Sequence, residues 1–387
     1  MKKERPKAPD DITQLLKLVR NGQLFTVQQW IADGKRVRFD GNDRSSFCPL
    51  YQAVDAGFHS MVEVLLRMDR WNQEELDAAL EHAMSNGRLD MVDLLLERGA
   101  SPQAIDFADV CRSMNNELML RFLKIGVDPA KENAFARALD DTKARPLLGF
   151  YRSHVQDYPT LHPQISLALA EAVKEEKVRW VALLRWAGAD PFMDVPESIY
   201  DAWDFGEYGG RKAADIVCWS KKPDLLKVLK LRPTQEQAQE LLRRASWTPS
   251  ANFLKELLRV IPREYINNAV NGSCEAVEYC VSHRPLHFNS SYSSESEDGE
   301  RAGCLEVLLD AGARWNPPTK EIDSIRRSLM KNTPRYLVRV IRLLLYTPNA
   351  AELNLIAELC RTSTIRRTIA EADRLLGKDL DKLVAEI

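Results

Sequence analysis

RLDMVDLLLERGASP, residues Arg88–Pro102, decides how the rest of the chain is read. Leu89, Val92, Leu95 and Leu96 recur at three- and four-residue spacing, which places them on one stripe of a helix. Arg88, Asp90, Asp93, Glu97 and Arg98 fall on the remaining, solvated face. Gly99 follows the last periodic residue, where a left-handed C-terminal cap favours a residue without Cβ. Just upstream, EELDAALEHAMSNG (74–87) carries a second helical pattern that runs into a turn at Asn86-Gly87. The unit is helix, tight turn, helix, glycine, then a short extended link.

That unit returns. The second helix recurs as VRWVALLRWAGADP (178–191) and GCLEVLLDAGARWNPP (303–318). Whole units read at 12–34, 48–67, 107–129, 165–191 and 210–229, with turns at Asn21-Gly22 and Gly57. Glycines at 34, 99, 126, 188 and 312 end helices at multiples of roughly 31–33 residues. One helix pair cannot bury its apolar stripe alone, so such a period implies stacking of neighbours into a repeat array.

The repeat resembles the ankyrin-repeat family, whose phrase is Thr-Pro-Leu-His-x-Ala-Ala-x-x-Gly-His followed by a Leu-rich helix ending in Gly-Ala-Asp. This chain matches it at Cys48-Pro49-Leu50-Tyr51, Ala53 and Gly57, at Gly99-Ala100, at Gly126-Val127-Asp128 and at Gly188-Ala189-Asp190. Gly210-Arg211-Lys212-Ala213-Ala214 is similar to the turn that opens another copy, and weaker copies cover 130–155, 232–262 and 319–376. The Thr-Pro-Leu-His motif is nowhere intact. Tetratricopeptide-like and HEAT-like helix pairs lack the Gly-Ala-Asp-Pro link. The resemblance implies an all-α, ankyrin-like solenoid of ten or eleven helix pairs with capping ends. The expected layout is a basic tail at 1–11, repeats over 12–191, an inserted finger at 192–209, repeats over 210–376, and a cap or tail at 377–387.

Bulk composition agrees with a folded array. The 387 residues exceed one ordinary core, and 45% hydrophobic with 28% charged residues suit a soluble protein. A formal charge of -2 gives no global pull toward nucleic acid or anionic membrane. No apolar run approaches the roughly 20 residues that span a bilayer, and the N-terminal MKKERPKAPDDITQLL is not read as a secretory signal. Seven scattered cysteines make no disulfide framework, so the expectation is a cytoplasmic protein with reduced thiols.

Residues that break the phrase are the candidates for function. Between Pro191 and Gly210 the link is unusually long and sets Tyr200, Trp203, Phe205 and Tyr208 among five acids with no Lys or Arg. Exposed aromatics among acids suit a basic, partly apolar partner surface, and the same rings could instead fold back on neighbouring repeats. In the family the partner meets the finger and the residues before the turn glycine. Counted onto this sequence, that implies Arg20, Asn21, Arg44, Phe47, Asp55, Ser85, Asn86, Met114, Asn115, Arg211, Trp219 and Ser220. HRPLHFNSSYSSESEDGE (283–300) interrupts another unit and reads as a disordered loop or a phosphorylation segment.

Chemistry is poorly represented. There is no GxxxxGK[ST], GxGxxG, GxSxG or HExxH, and no nucleophile, base and orienting group assemble. Cys274, Cys280, His283 and His287 match no zinc spacing. The expectation is therefore no enzyme, no cofactor and no metal, with another protein as partner and neither membrane nor small-molecule substrate. The alternative is nucleic-acid contact through Lys320–Arg374, where eleven basic residues face six acids. The first reading is a protein-interaction scaffold or adaptor that grips a partner in a concave groove and regulates it by covering it.

Overall fold

The structure is a computed structural model that describes residues 10–38, 48–68, 71–139, 142–194, 212–247, 249–269, 272, 274–282 and 295–314. Among these residues there are eighteen α-helices and no strand. They run as nine consecutive pairs, each an A helix followed by a B helix. The first five are α1 (Asp10–Arg20) with α2 (Leu24–Ala32), α3 (Pro49–Asp55) with α4 (His59–Leu66), α5 (Gln73–Ser85) with α6 (Leu89–Glu97), α7 (Phe107–Arg112) with α8 (Asn116–Lys124), and α9 (Ala134–Ala138) with α10 (Arg145–His154). The remaining four are α11 (Leu161–Lys174) with α12 (Val178–Ala187), α13 (Ala213–Ser220) with α14 (Pro223–Leu229), α15 (Gln235–Trp247) with α16 (Ala251–Leu258), and α17 (Glu275–Ser282) with α18 (Glu295–Asp310). The fold class is all-α and ankyrin-like; the further pairs expected at 319–376 lie outside the described residues. Contacts divide the described residues into two compact units, those up to 168 with 187–189, and those at 169–186 with the described residues from 190 to 314.

One hydrogen-bond pattern ends helix after helix. At the α3–α4 turn Gly57 N–H donates to Val54 O (3.0 Å) and Phe58 N–H to Ala53 O (3.1 Å). The α5–α6 turn repeats it with Gly87 to Met84 O (2.9 Å) and Arg88 to Ala83 O (3.0 Å). The B helices close alike: Gly99 to Leu96 O and Ala100 to Leu95 O, Gly126 to Leu123 O and Val127 to Phe122 O, Gly312 to Leu309 O and Ala313 to Leu308 O. This is the double bond of a Schellman cap, which needs a left-handed residue at its first donor. Gly57, Gly87, Gly99, Gly126 and Gly312 all have positive φ, from 65° to 94°.

The buried stripe is rotated slightly from the one read in the sequence. In α6 the core residues are Met91, Val92 and Leu95, while Leu89 and Leu96 are half-buried. Positions 91, 92 and 95 face the A helix, and 89 and 96 lie at the edges of that arc. A helices carry small residues inward: Ala53, Ala79, Ala83, Ala108, Ala214, Ala238 and Ala276 are all buried, which lets neighbouring A helices approach closely. Each buried leucine or phenylalanine between them is worth roughly 1.5–3 kcal/mol over its exposed state.

Polar side chains tie one repeat to the next at backbone groups that the helix ends leave over. Arg98 Nη1 donates to Leu66 O at 2.9 Å, satisfying a carbonyl at the end of α4. Asn72 and Glu75 cap α5 reciprocally, and Asp77 accepts from Ser101 N–H at 2.6 Å in the link that follows α6.

The stretch 283–300 differs from the expected loop. Residues 295–300 are the first turns of α18, and only 283–294 lie outside the described residues. Once the apolar run from Ala302 to Leu309 is packed, extending the helix backward adds a hydrogen bond per residue. An acid-rich sequence is also favourable at a helix N-terminus. Glu300 accepts a bond from Ala251 N–H at 3.2 Å.

Candidate functional site

In the first unit, ends of successive A helices are joined through the positions picked out as candidates. Arg20 Nε donates to the buried Gln52 Oε1 at 2.6 Å. Asp55, exposed at the end of α3, holds His82 Nε2 of α5 at 2.7 Å, and the His82 ring packs 4.2 Å from that of Tyr51. Asn21, Ser85 and Asn86 are exposed at the turns, with Ser85 Oγ donating to Glu81 O. Met114 is 37% exposed and takes the left-handed turn position at φ 53°. Asn115 caps α8, its side-chain oxygen accepting from Glu117 and Leu118 N–H at 3.0 and 3.2 Å. Arg44, Phe47, Tyr200, Trp203, Phe205, Tyr208 and Arg211 lie outside the described residues.

Residues on either side of 195–211, a stretch outside the described residues, meet. Lys212 Nζ pairs with Asp194 Oδ1 at 3.5 Å, and Ala214 N–H donates to Pro191 O at 2.9 Å.

In the second unit Trp219 joins two rings that the sequence reading passed over. Its ring packs edge-on against Trp247 at 6.3 Å, and Trp247 packs against Tyr279 at 6.1 Å. The three stand on α13, α15 and α17, all A helices, and each is partly exposed. They form a row across three repeats. The signal that could have found Trp247 and Tyr279 is their recurrence about one repeat after Trp219. Arg243 and Arg244 lie over Trp247, 4.4 and 5.6 Å from its centre. Arg244 pairs with Asp215 at 3.2 Å and Glu240 at 2.6 Å. Burial raises the Asp215 carboxyl above its ordinary value despite that Arg244 cation.

Burial sets the state of the described thiols. Burial pushes the thiols of Cys48 and Cys274 up to about 11 and Cys304 to about 12, and it raises Cys111, Cys218 and Cys280 as well, so these sulfurs stay protonated near neutrality. Among the described residues no group of His, Cys, Asp and Glu is placed to hold a metal ion, and no helix is long and apolar enough to cross a membrane. A pocket of about 330 Å³ opens between the links after α6 and α8. Two of its three carboxylates are engaged locally: Asp106 accepts from Ala108 N–H and pairs with Arg137, and Asp128 accepts from Ala130 N–H.

A family model finds the repeat in the first part of the chain. The family described as ankyrin repeats (3 copies) matches over residues 15–106, which span α1 to the link before α7. Among solved structures, the human ASB11 ankyrin repeat domain is similar at 16% identity, covering 81% of this chain and 100% of that one, with a TM-score of 0.27. No curated protein matches.

Proposed function

We propose that this chain, an ankyrin-repeat protein, is a cytoplasmic scaffold or adaptor that holds a partner protein on the exposed ends of its A helices. Ankyrin repeats are generally protein–protein interaction modules. The observation that carries the reading is the row Trp219–Trp247–Tyr279: stacking of repeats needs apolar residues inside, yet here three large rings line up on one partly exposed face. The ends of α1, α3 and α5, with Arg20, Asp55 and Ser85, form a second contact row in the first unit. The finger at 192–209 adds to the grip, and covering a partner enzyme is the regulatory form such binding takes. The alternative, nucleic-acid contact through the basic stretch 320–374, falls on residues outside the described ones.

The test is affinity capture from the native host with two full-length baits, the unaltered chain and Trp219→Ala/Tyr279→Ala, both checked for helix content by circular dichroism. A partner held by the first bait and lost by the second supports the reading. Partners retained equally by both overturn it for this face.

A further inference from the structure

The B helices change the sign of their charge along the chain. In the first unit α4, α6 and α8 carry Glu63, Asp90, Asp93, Glu97 and Glu117 against Arg121 and Lys124. In the second unit α12 carries Arg179 and Arg185 and no acid. Helix α14 and the residues just after it carry Lys227, Lys230 and Arg232 against Asp224. Lys255 continues the row on α16, where Glu256 is held by Arg259. At α18 the sign turns back, with Glu300, Glu306 and Asp310 against Arg301. Stacking does not ask for this pattern, because the stripes that pack are apolar.

The cations gather where α12 meets the end of α14. Arg185 Nε donates to Leu229 O at 2.7 Å, a carbonyl that the helix end leaves over. The next residue, Lys230, takes φ 48°, the left-handed conformation that glycine takes after α6, α8 and α18. Burial lowers the Arg185 guanidinium from its ordinary value, Asp190 opposes that and the nearby Arg232 adds to it. Arg179 and Trp186 stand seven residues apart on one stripe of α12, and Trp186 is 61% exposed. Lys227 reaches Asp224 at 3.7 Å, both well exposed. Arg179, Lys230, Arg232 and Lys255 are exposed and enter no ion pair among the described residues.

We propose that this B-helix face, α12 with α14, binds an acidic segment of a partner protein. Its carboxylates would meet Arg179, Lys230 and Arg232, and an apolar side chain would cover Trp186. In the second unit α13, α15 and α17 pack on one another, as do α14, α16 and α18, so this surface is distinct from the aromatic row on the A helices. Charge complementarity names the occupant, arginine forks suit carboxylates, and an exposed indole suits an anchor. Asp224 inside the patch and the acids of α18 beyond it favour a short mixed segment over the unbroken phosphates of a nucleic acid.

The probe is a random-peptide phage library selected on the immobilised full chain. Selected peptides should carry net negative charge and an apolar residue. A labelled synthetic copy should weaken roughly three- to tenfold on Lys230→Asn/Arg232→Gln, since two exposed pairs are lost, and should weaken further as salt rises. Asparagine tolerates the left-handed position, and Arg179→Gln, on another helix, reads out even if the turn at 230 shifts. Neutral or basic selections, or binding unchanged by every charge variant, would overturn the inference. Loss of the peptide on Trp219→Ala/Tyr279→Ala would also overturn it, by placing the peptide on the A-helix row. A duplex oligonucleotide that binds as tightly at equal salt, and is lost in the same variants, would overturn it in favour of nucleic acid. A peptide that binds only when Glu197, Asp201, Asp204 and Glu207 are neutralised would overturn it in favour of the chain's own acids.

Discussion

Arg88 Nη1 donates to Gly57 O at 3.1 Å, reaching from the turn of one repeat to the turn of the repeat before it. Phe58 lies over Gly22 in the same way, its ring 3.0 Å from where a Cβ on that glycine would stand. The residue after one turn glycine thus covers the previous turn glycine, and the period is held by contact as well as by sequence.

Gly57→Ala tests that contact. The new Cβ would sit at φ +75° and 2.7 Å from Arg88 Nη1. A left-handed alanine costs about 1–2 kcal/mol, and displacing the guanidinium loses a hydrogen bond worth about 1 kcal/mol. Arg88→Ala alone should cost about 1 kcal/mol. The double variant should then be less unstable than the sum, because the bond can be lost only once. Urea denaturation of the four proteins measures this, and strict additivity would show that the contact carries no energy.

Other turns perform the same task without glycine, those at Met114 and Glu176 among them. Met114 and Glu176 have φ of 53° and 58°, and Glu176 N–H donates to Val173 O as a cap glycine would. Met114→Gly and Glu176→Gly should each stabilise by about 0.5–1 kcal/mol. Glu176 also pairs with Lys222 at 3.0 Å, an exposed pair worth little, so its loss should not reverse the sign. A lower melting temperature for Glu176→Gly would mean that the surface pair outweighs the backbone strain.

These turns show what the sequence makes legible. Glycine at 57, 87, 99, 126 and 312 marks helix ends because a left-handed cap leaves a chemical trace. Where Met114, Glu176 or Lys221 takes that conformation, nothing in the residue type announces it. Between α15 and α16 the turn runs through Pro249 and Ser250 with no glycine, so the register of the second half could not be counted past Trp219. Trp247 and Tyr279 were missed for that reason. The Asp55–His82 pair was equally hidden, since it depends on which side of α5 faces α3. Conversely, acid-rich 295–300 reads as loop by composition alone, yet the apolar run after it extends the helix back.

The cations over Trp247 should be measurable as energy. Arg243 has its fork on Glu240 and its guanidinium carbon 4.4 Å from the centre of the Trp247 ring, so Arg243→Ala and Trp247→Ala share one interaction. A double-mutant cycle should give a coupling of about 0.5–1 kcal/mol, typical of a partly exposed cation–π contact. Arg243→Lys should recover only part of it, because an ammonium cannot both stack and bond bidentately. Zero coupling in chemical denaturation would reduce the stack to coincidence.

Asp215 gives the second unit a pH dependence of defined sign. Burial raises its carboxyl above 3.8 in the folded chain, against the pull of Arg244. The folded state therefore holds this proton more tightly than the unfolded chain does. The stability this proton contributes is complete below 3.8 and is lost as pH rises through the raised folded value. Asp215→Asn is neutral throughout, and Arg244 keeps Glu240 at 2.6 Å as its partner. Relative to the unaltered protein, the asparagine variant should gain stability as pH rises from the acid side toward neutrality. Urea titrations of both proteins across that range check it. A difference that stays flat, or that turns against asparagine with rising pH, would mean that the ion pair with Arg244 outweighs the cost of burying the charge.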